Sequence, residues 1–157
     1  MTSRPAVLFV CMGNICRSPL AEAAFRQAAQ AAGLEVMVDS AGTGNWHAGS
    51  PPDRRACAVA LRYGIDMGRY RARVVRPADF NRFTHVIALD HANLAHLRAM
   101  RPEGGRAALS LLLDHVPGRQ GEAVADPYYG DSSGFETTWR DVSMGAEALV
   151  RLLQARP

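Results

Sequence analysis

"PAVLFVCMGNICRSPLAEAAFRQAAQAAG", residues 5–33, carries three signals in one run. "PAVLFVC" is short, apolar, β-branched and aromatic, the pattern of a buried strand. "SPLAEAAFRQAAQAAG" reads as helix: Ser18 is a natural N-cap, Pro19 suits the first helical position and Gly33 ends the run as a C-cap. Between them, "VCMGNICRSP" packs two of the chain's three cysteines into one loop, Cys11 and Cys16. Such a loop could be a metal site, a redox pair, a tight core turn or an active-site loop.

The alternation continues outward. "LEVMVDS" reads as a second strand, "AGTGNWHAGSPP" as a loop and "PDRRACAVALRYG" as a helix ending at Gly64. "THVIALD" is a third strand and "HANLAHLRAM" the helix after it. "ALSLLLD" fits a fourth strand or a short helix, and the alternation favours strand. "HVPGRQGEAVADPYYGDSSG" is a long loop before a terminal helix from Phe135, with Phe135, Trp139, Val142, Ala146, Leu149 and Leu153 at core-facing spacing. This order predicts an α/β domain with a mostly parallel sheet and right-handed crossovers. Sites in such sheets lie at the carboxyl ends of the strands. The Cys11 loop, the Gly42 loop, Asp90 and Asp114 should therefore share one rim.

A length of 157 residues predicts one domain over 1–157, and 48% hydrophobic with 21% charged residues is ordinary globular composition. Three irregularly spaced cysteines make no disulfide framework and point to a reducing cytoplasm. No apolar run approaches the roughly 20 residues of a membrane span. Arg4, "PAVLFVCM" and Ala21-Glu22-Ala23 imitate a secretory signal, but the polar "GNICRS" between them breaks the pattern. All 18 basic residues are arginine, which removes Walker A, Schiff-base and general-base lysine chemistry. The net charge of +3 is mild and Asp and Glu interleave with Arg, so no nucleic-acid partner is expected. "RYRARVVR", Arg69 to Arg76, reads as a solvated loop or as the rim of an anion site.

Metal fits the loop badly, because no second Cys/His pair complements Cys11 and Cys16, and His91 and His96 are five apart rather than four. A dinucleotide fingerprint fails as well, with His47 where the third glycine of "GTGNWH" should stand. An anion cradle fits. Gly13 and Asn14 tolerate positive φ, so the loop from Met12 through Ile15 and Cys16 can curl with its N–H groups inward. The helix starting at Ser18 aims its positive end into the loop, and Arg17 adds a planar fork matched to phosphate. A helix N-terminus and a nearby cation favour thiolate over thiol, which makes Cys11 a nucleophile aimed at phosphorus. Cys-x5-Arg alone is a weak signal; the strand, the Gly-Asn pair, the Ser-Pro step and the helix make it specific.

Phosphate ester cleavage also needs a proton for the leaving oxygen, worth typically about 10²–10⁴-fold. "ADPYYGD" offers Asp126, held extended by Pro127, with Asp131 as the competing carboxylate. Taken alone, Asp-Pro is an ordinary turn. Tyr128 and Tyr129 could wall a slot for an aromatic ring or simply anchor the loop.

"VLFVCMGNICRSPLAEA" together with "DPYYGD", "DSAGTGNW" and "FETTW" closely resembles the low-molecular-weight protein tyrosine phosphatases, nearly end to end. The resemblance implies a three-layer fold of the phosphotyrosine phosphatase I kind, a four-stranded parallel sheet with helices on both faces. It implies cofactor-free, metal-independent hydrolysis of phosphotyrosine and small aryl phosphates through a cysteinyl-phosphate. Cys11 would be the nucleophile, Arg17 the phosphate and transition-state ligand, and Asp126 the general acid and then base. Ser18 would steady the thiolate, Asn14 fix the loop's shape, and Cys16 protect Cys11 by a reversible disulfide. Trp46, Tyr128 and Tyr129 would form an aromatic rim. One departure is visible: Tyr70 stands where relatives often carry histidine.

Two rivals share features of this pattern. Arsenate reductases on this fold need a cysteine relay near the third strand, and residues 79–100 contain none. A non-catalytic phosphotyrosine-binding module would not need Cys11, Arg17 and Asp126 together. The expected partners are tyrosine-phosphorylated proteins, a bacterial-type tyrosine kinase among them, and phosphate or other oxyanions in the loop, with no membrane.

Overall fold

The computed structural model describes residues 4–155. Four strands, β1 (Ala6–Cys11), β2 (Met37–Gly42), β3 (His85–Ala88) and β4 (Ala108–Leu111), form one parallel sheet in the order β2-β1-β3-β4. Five helices surround it: α1 (Arg17–Ala31), α2 (Arg54–Arg62), α3 (Asp79–Arg82), α4 (His91–Met100) and α5 (Ser133–Gln154). Among the described residues no helix is long and apolar enough to cross a membrane.

β1 lies between β2 and β3 and is buried along its whole length, as its unbroken apolar run requires. Its side chains alternate between two cores. Val7, Phe9 and Cys11 join the core with Phe25 of α1 and Phe135 and Leu149 of α5. Ala6, Leu8 and Val10 join the opposite core with Phe80 of α3 and Leu94 and Leu97 of α4. Helices therefore cover both faces, as expected. All six predicted core positions of α5 are buried.

β1 pairs with β2 on one edge and with β3 on the other, so the chain leaves β1 at the point where the strand order reverses. A crevice opens there, outside the carboxyl ends of the strands. The strand-to-helix loop of residues 12–16 fills it.

Some boundaries differ from the sequence reading. β2 starts later and runs through Gly42, because Ala41 and Gly42 pair with Val10 and Cys11. Both readings of "ALSLLLD" hold in part: β4 ends at Leu111 and a 3₁₀ turn follows over Leu112–His115. α3, a single turn, had no periodic signal to reveal it. Ser18 is not the N-cap. α1 begins at Arg17 with Cys16 in the cap position and no side-chain cap bond, and the Ser18 hydroxyl is engaged elsewhere.

Candidate active site

The loop is pinned from outside. The Cys11 and Met12 carbonyls accept from the Thr43 and Gly44 amides at 2.9 and 3.1 Å. The Ile15 carbonyl accepts from the Asp53 amide at 2.8 Å and that of Cys16 from Leu20. Carbonyls engaged outward are what an anion nest needs, since they leave the N–H groups for the concave side.

Only one of the two expected positive-φ residues adopts that conformation. Asn14 has φ +59°, whereas Gly13 does not enter the left-handed region. At Gly13 space is tight: a Cβ there would stand 3.0 Å from Cδ2 of His47, which would have to give way by a few tenths of an ångström.

Behind the loop a hydrogen-bond chain has its proton directions fixed. The Arg73 backbone N–H, which can only donate, meets Asn14 Oδ1 at 3.0 Å. Asn14 Nδ2 therefore donates, to Ser18 Oγ at 2.8 Å and to Ser40 Oγ at 3.0 Å. Ser40 passes its own proton to Glu22 Oε1 at 2.7 Å. With its oxygen already accepting, the Ser18 hydroxyl can aim its proton at Cys11 Sγ, 3.0 Å away. Asn14 and Ser18 are buried beneath the loop rather than exposed in the crevice. Burial pushes the Glu22 carboxyl above its ordinary range, against the pull of Ser40 and Arg26.

The crevice itself is a cleft of about 370 Å³. Cys11, Met12, Gly13, Ile15, Cys16 and Arg17 line its loop side; Trp46, His47, Asp126, Tyr128 and Tyr129 line the rest. Arg17 is buried. Its Nη1 donates to Asp90 Oδ2 at 2.7 Å and to the Val124 carbonyl at 3.1 Å, and its Nη2 lies 3.6 Å from Asp126 Oδ2. Tyr129 and Trp46 are 87% and 68% exposed, so large apolar surface stands at the mouth with nothing packed over it. Tyr128 and Tyr129 meet edge to face at 4.9 Å, and His47 lies 6.5 Å from Tyr128 between ring centroids. Asp131, the competing carboxylate, turns away to its own Ser133.

The two cysteines differ. Burial first, then the charges of Asp53, Cys11 and Asp126, push the Cys16 thiol far up, with Arg55 opposing. Cys16 is thus a neutral thiol at physiological pH. Both are free thiols.

The profile of the Low molecular weight phosphotyrosine protein phosphatase family matches residues 6–156. The chain belongs to this family. It is 44% identical over 138 residues to the low molecular weight phosphotyrosine protein phosphatase of Schizosaccharomyces pombe, covering 86% of this chain and 88% of that one. It is 40% identical to the low molecular weight protein-tyrosine-phosphatase YfkJ of Bacillus subtilis, over 95% and 96% of the two chains. The crystal structure of YfkJ superposes with a TM-score of 0.90, covering 98% of this chain and 96% of that one. The Drosophila arginine phosphatase also superposes with a TM-score of 0.90, at 28% identity over 96% and 99% of the chains. This phosphatase fold is therefore shared by proteins named for two different phosphorylated side chains.

Cys11 to Cys16, Arg17, Ser18, Trp46, Asp126, Tyr128 and Tyr129 lie in or directly beneath the cleft. Asp114, expected on the same rim, does not line it: it accepts from the Leu111 and Gly121 amides and stabilises a turn. Residues that sequence reasoning missed include Ser40, Glu22, His47 and the Asp53–Arg55 pair. Asp90 was placed on the rim without its partner Arg17. Tyr70 lines a second cleft with Glu22 and Arg26, and the support for Asn14 comes from the Arg73 amide.

Proposed function

We propose that this chain is one catalytic domain that hydrolyses phosphotyrosine and small aryl phosphates by way of a phosphorylated Cys11. The arrangement that carries the reading is Cys11 beneath the cleft, with Ser18 at 3.0 Å and the Arg17 fork reaching toward Asp126 at 3.6 Å.

In the first step the Cys11 thiolate attacks phosphorus in line. The S–P bond forms as the P–O bond to the aryl group breaks, and Asp126 gives its proton to the departing phenolate. Arg17 and the loop amides hold the phosphoryl oxygens as charge shifts onto them. Ser18 donates to the sulfur and makes it a better leaving group for the second step. Water then attacks the thiophosphate, Asp126 takes its proton, the S–P bond breaks and phosphate departs. No cofactor or metal enters either step.

Trp46, Tyr128 and Tyr129 give an aryl ring flat apolar surface to stack on. A phosphorylated guanidinium would instead want acceptors at the mouth, and among the described residues Asp126 is the one carboxylate lining this cleft. Phosphotyrosine is therefore favoured over phosphoarginine. Tyrosine-phosphorylated proteins in a reducing, cytoplasmic setting are the substrates, with a bacterial-type tyrosine kinase as one candidate. Cys16, protonated beside Cys11 in the same loop, serves as the partner for a reversible disulfide that shields Cys11 from further oxidation.

The test is steady-state turnover of p-nitrophenyl phosphate, a phosphotyrosyl peptide and a phosphoarginyl peptide. Cys11→Ser should abolish it and Asp126→Ala should lower it about 10²–10⁴-fold. A Cys11→Ser protein that still turns over p-nitrophenyl phosphate overturns the mechanism, and faster release from phosphoarginine overturns the substrate. The same two variants, used as traps in a lysate, identify the bound phosphoproteins.

A further inference from the structure

The acid-bearing loop has few ties to the body of the protein. Within residues 126–131 the Gly130 amide donates to the Pro127 carbonyl, and the Tyr128 amide donates to Asp126 Oδ1 at 3.1 Å, both local bonds. The Asp131 carbonyl accepts from the Gly134 amide in the first turn of α5 at 3.2 Å, and the carbonyls of Tyr128 and Gly130 both accept from Arg55. Arg55 Nη2 donates to the Tyr128 carbonyl at 2.9 Å and Nη1 to the Gly130 carbonyl at 3.2 Å.

Arg55 is itself fixed. Its backbone N–H and Nε donate to Asp53 Oδ1 at 2.8 and 3.1 Å, and Nη2 donates to Asp53 Oδ2 at 3.2 Å. Its guanidinium carbon stands 4.6 Å from the ring centre of Phe135, a fully buried side chain at the start of α5, and 5.7 Å from that of Tyr128. A planar fork held on two edges and one face has little rotational freedom left. Asp53 in turn donates its amide to the Ile15 carbonyl at 2.8 Å, inside the phosphate-binding loop.

From this we infer that Arg55, seated on Asp53, is a positioning residue that sets Asp126 over the phosphate-binding loop. The connection is continuous: Ile15 carbonyl, Asp53, Arg55, Tyr128 carbonyl, Tyr128 amide, Asp126 carboxylate. Arg55 does not line the cleft and touches no reacting atom. It acts by clipping one loop to the other, so that the acid and the phosphate site keep one spacing. The inference rests on Asp126 as the proton donor; in kcat/KM, which ends with phosphorylation of Cys11 and leaves out the water step, its effect should appear only where proton donation limits the rate.

The experiment compares Arg55→Met with the unmodified protein on phenyl phosphate, whose leaving group needs a proton, and on 2,4-dinitrophenyl phosphate, whose leaving group does not. The expected result is a loss of about 10–100-fold in kcat/KM on phenyl phosphate, with kcat/KM on 2,4-dinitrophenyl phosphate and competitive inhibition by inorganic phosphate each within about threefold. Adding Arg55→Met to Asp126→Ala should cost nothing more on phenyl phosphate, since both act through one group. Equal losses on the two esters, weakened phosphate inhibition, additive losses in the double variant, or full activity would each overturn the inference. If Arg55→Met does not fold, Arg55→Lys takes its place; it keeps the charge over Phe135 but not the fork, and the same outcomes decide. Asp126→Ala run alone separates the two levels. If it shows no preference for the better leaving group, the acid assignment itself fails and the role of Arg55 falls with it.

Discussion

Arg17 Nη1 donates to Asp90 Oδ2 at 2.7 Å, linking the phosphate-binding loop to the residue that caps α4. Asp90 does two jobs. Its Oδ1 accepts from the Asn93 amide in a capping box, and its Oδ2 sets the rotation of the Arg17 guanidinium. Asparagine caps a helix about as well as aspartate, so Asp90→Asn isolates the second job. Arg17 is only 3% exposed, and removing the charge of its partner leaves it poorly compensated. Urea melts of Asp90→Asn should show a loss of about 1–3 kcal/mol. Inhibition by phosphate and kcat on p-nitrophenyl phosphate should both weaken by about tenfold or more as the fork loses its aim.

Gly42 supports the loop by having no side chain. A Cβ at this position would stand 2.8 Å from the Met12 carbonyl oxygen and 3.2 Å from the Gly13 carbonyl carbon, and both are backbone atoms of the loop. Gly42→Ala must therefore shift backbone on one side of this contact, the phosphate loop or the end of β2. A misplacement near 1 Å can cost about 10²-fold in rate. We expect a fall of that order in kcat/KM on p-nitrophenyl phosphate with a melting temperature only a few degrees lower. Unchanged kinetics would mean that the strand, not the loop, gives way.

Tyr70 should be silent in the working pH range. Burial, then the Glu22 charge, pushes its hydroxyl up to about 12, against the pull of Arg26. A group raised on folding contributes stability that is complete below its unfolded value, about 10 for tyrosine, and lost as pH rises through the folded one. Stability of the unmodified protein should therefore fall as pH climbs from about 10 through 12, more steeply than that of Tyr70→Phe. Urea melts across that window measure the difference. Between about pH 5 and 8 the kcat profiles of the two proteins should have the same shape, because the hydroxyl does not titrate there.

Cys16 should react slowly with electrophiles. Its burial and the negative charges around it hold it as a thiol, and thiols are poor nucleophiles. Iodoacetate at neutral pH should alkylate Cys11 first, and phosphate should protect it, as read by peptide mass spectrometry. Cys16→Ala should keep its turnover in reductant. After peroxide treatment it should recover less activity with dithiothreitol than the unmodified protein, because no second thiol shares the loop with Cys11.

The sheet and the loop were legible because their signals are local. An unbroken apolar run, a Gly-Asn pair and a Ser-Pro step before a helical run each report on their own few residues; β1 and the loop appeared where they were expected, and α1 starts at Arg17, so that Pro19 is its third residue and not its first. The four-stranded sheet, the helices on both faces and the family came from resemblance to known phosphatases. What stayed hidden is pairing across distance. Nothing around Asp90 indicates that Arg17, 73 positions away, is its partner. Ser40 and Glu22 look like any strand serine and helix glutamate until α1 packs beside β2. Ser18 shows how one residue can satisfy a local rule and follow another: it stands where an N-cap is expected, yet its hydroxyl faces the sulfur of Cys11. Gly13 was expected to supply a positive φ and does not; of the pair, Asn14 alone adopts one, and the His47 ring lies close to Gly13.

Val124 is held through both of its backbone polar groups, its amide donating to the Leu89 carbonyl at 2.8 Å and its carbonyl accepting from Arg17 at 3.1 Å. Asp126 follows two residues later. The acid hangs from a fixed post on a tether of roughly 7 Å, the reach of two extended residues. Its arc of travel is therefore short, and the length of that tether is part of the site's design. One glycine inserted between Val124 and Asp126 would lengthen the arm without touching any side chain in the cleft, and would leave a proton donor of the right kind at the wrong radius.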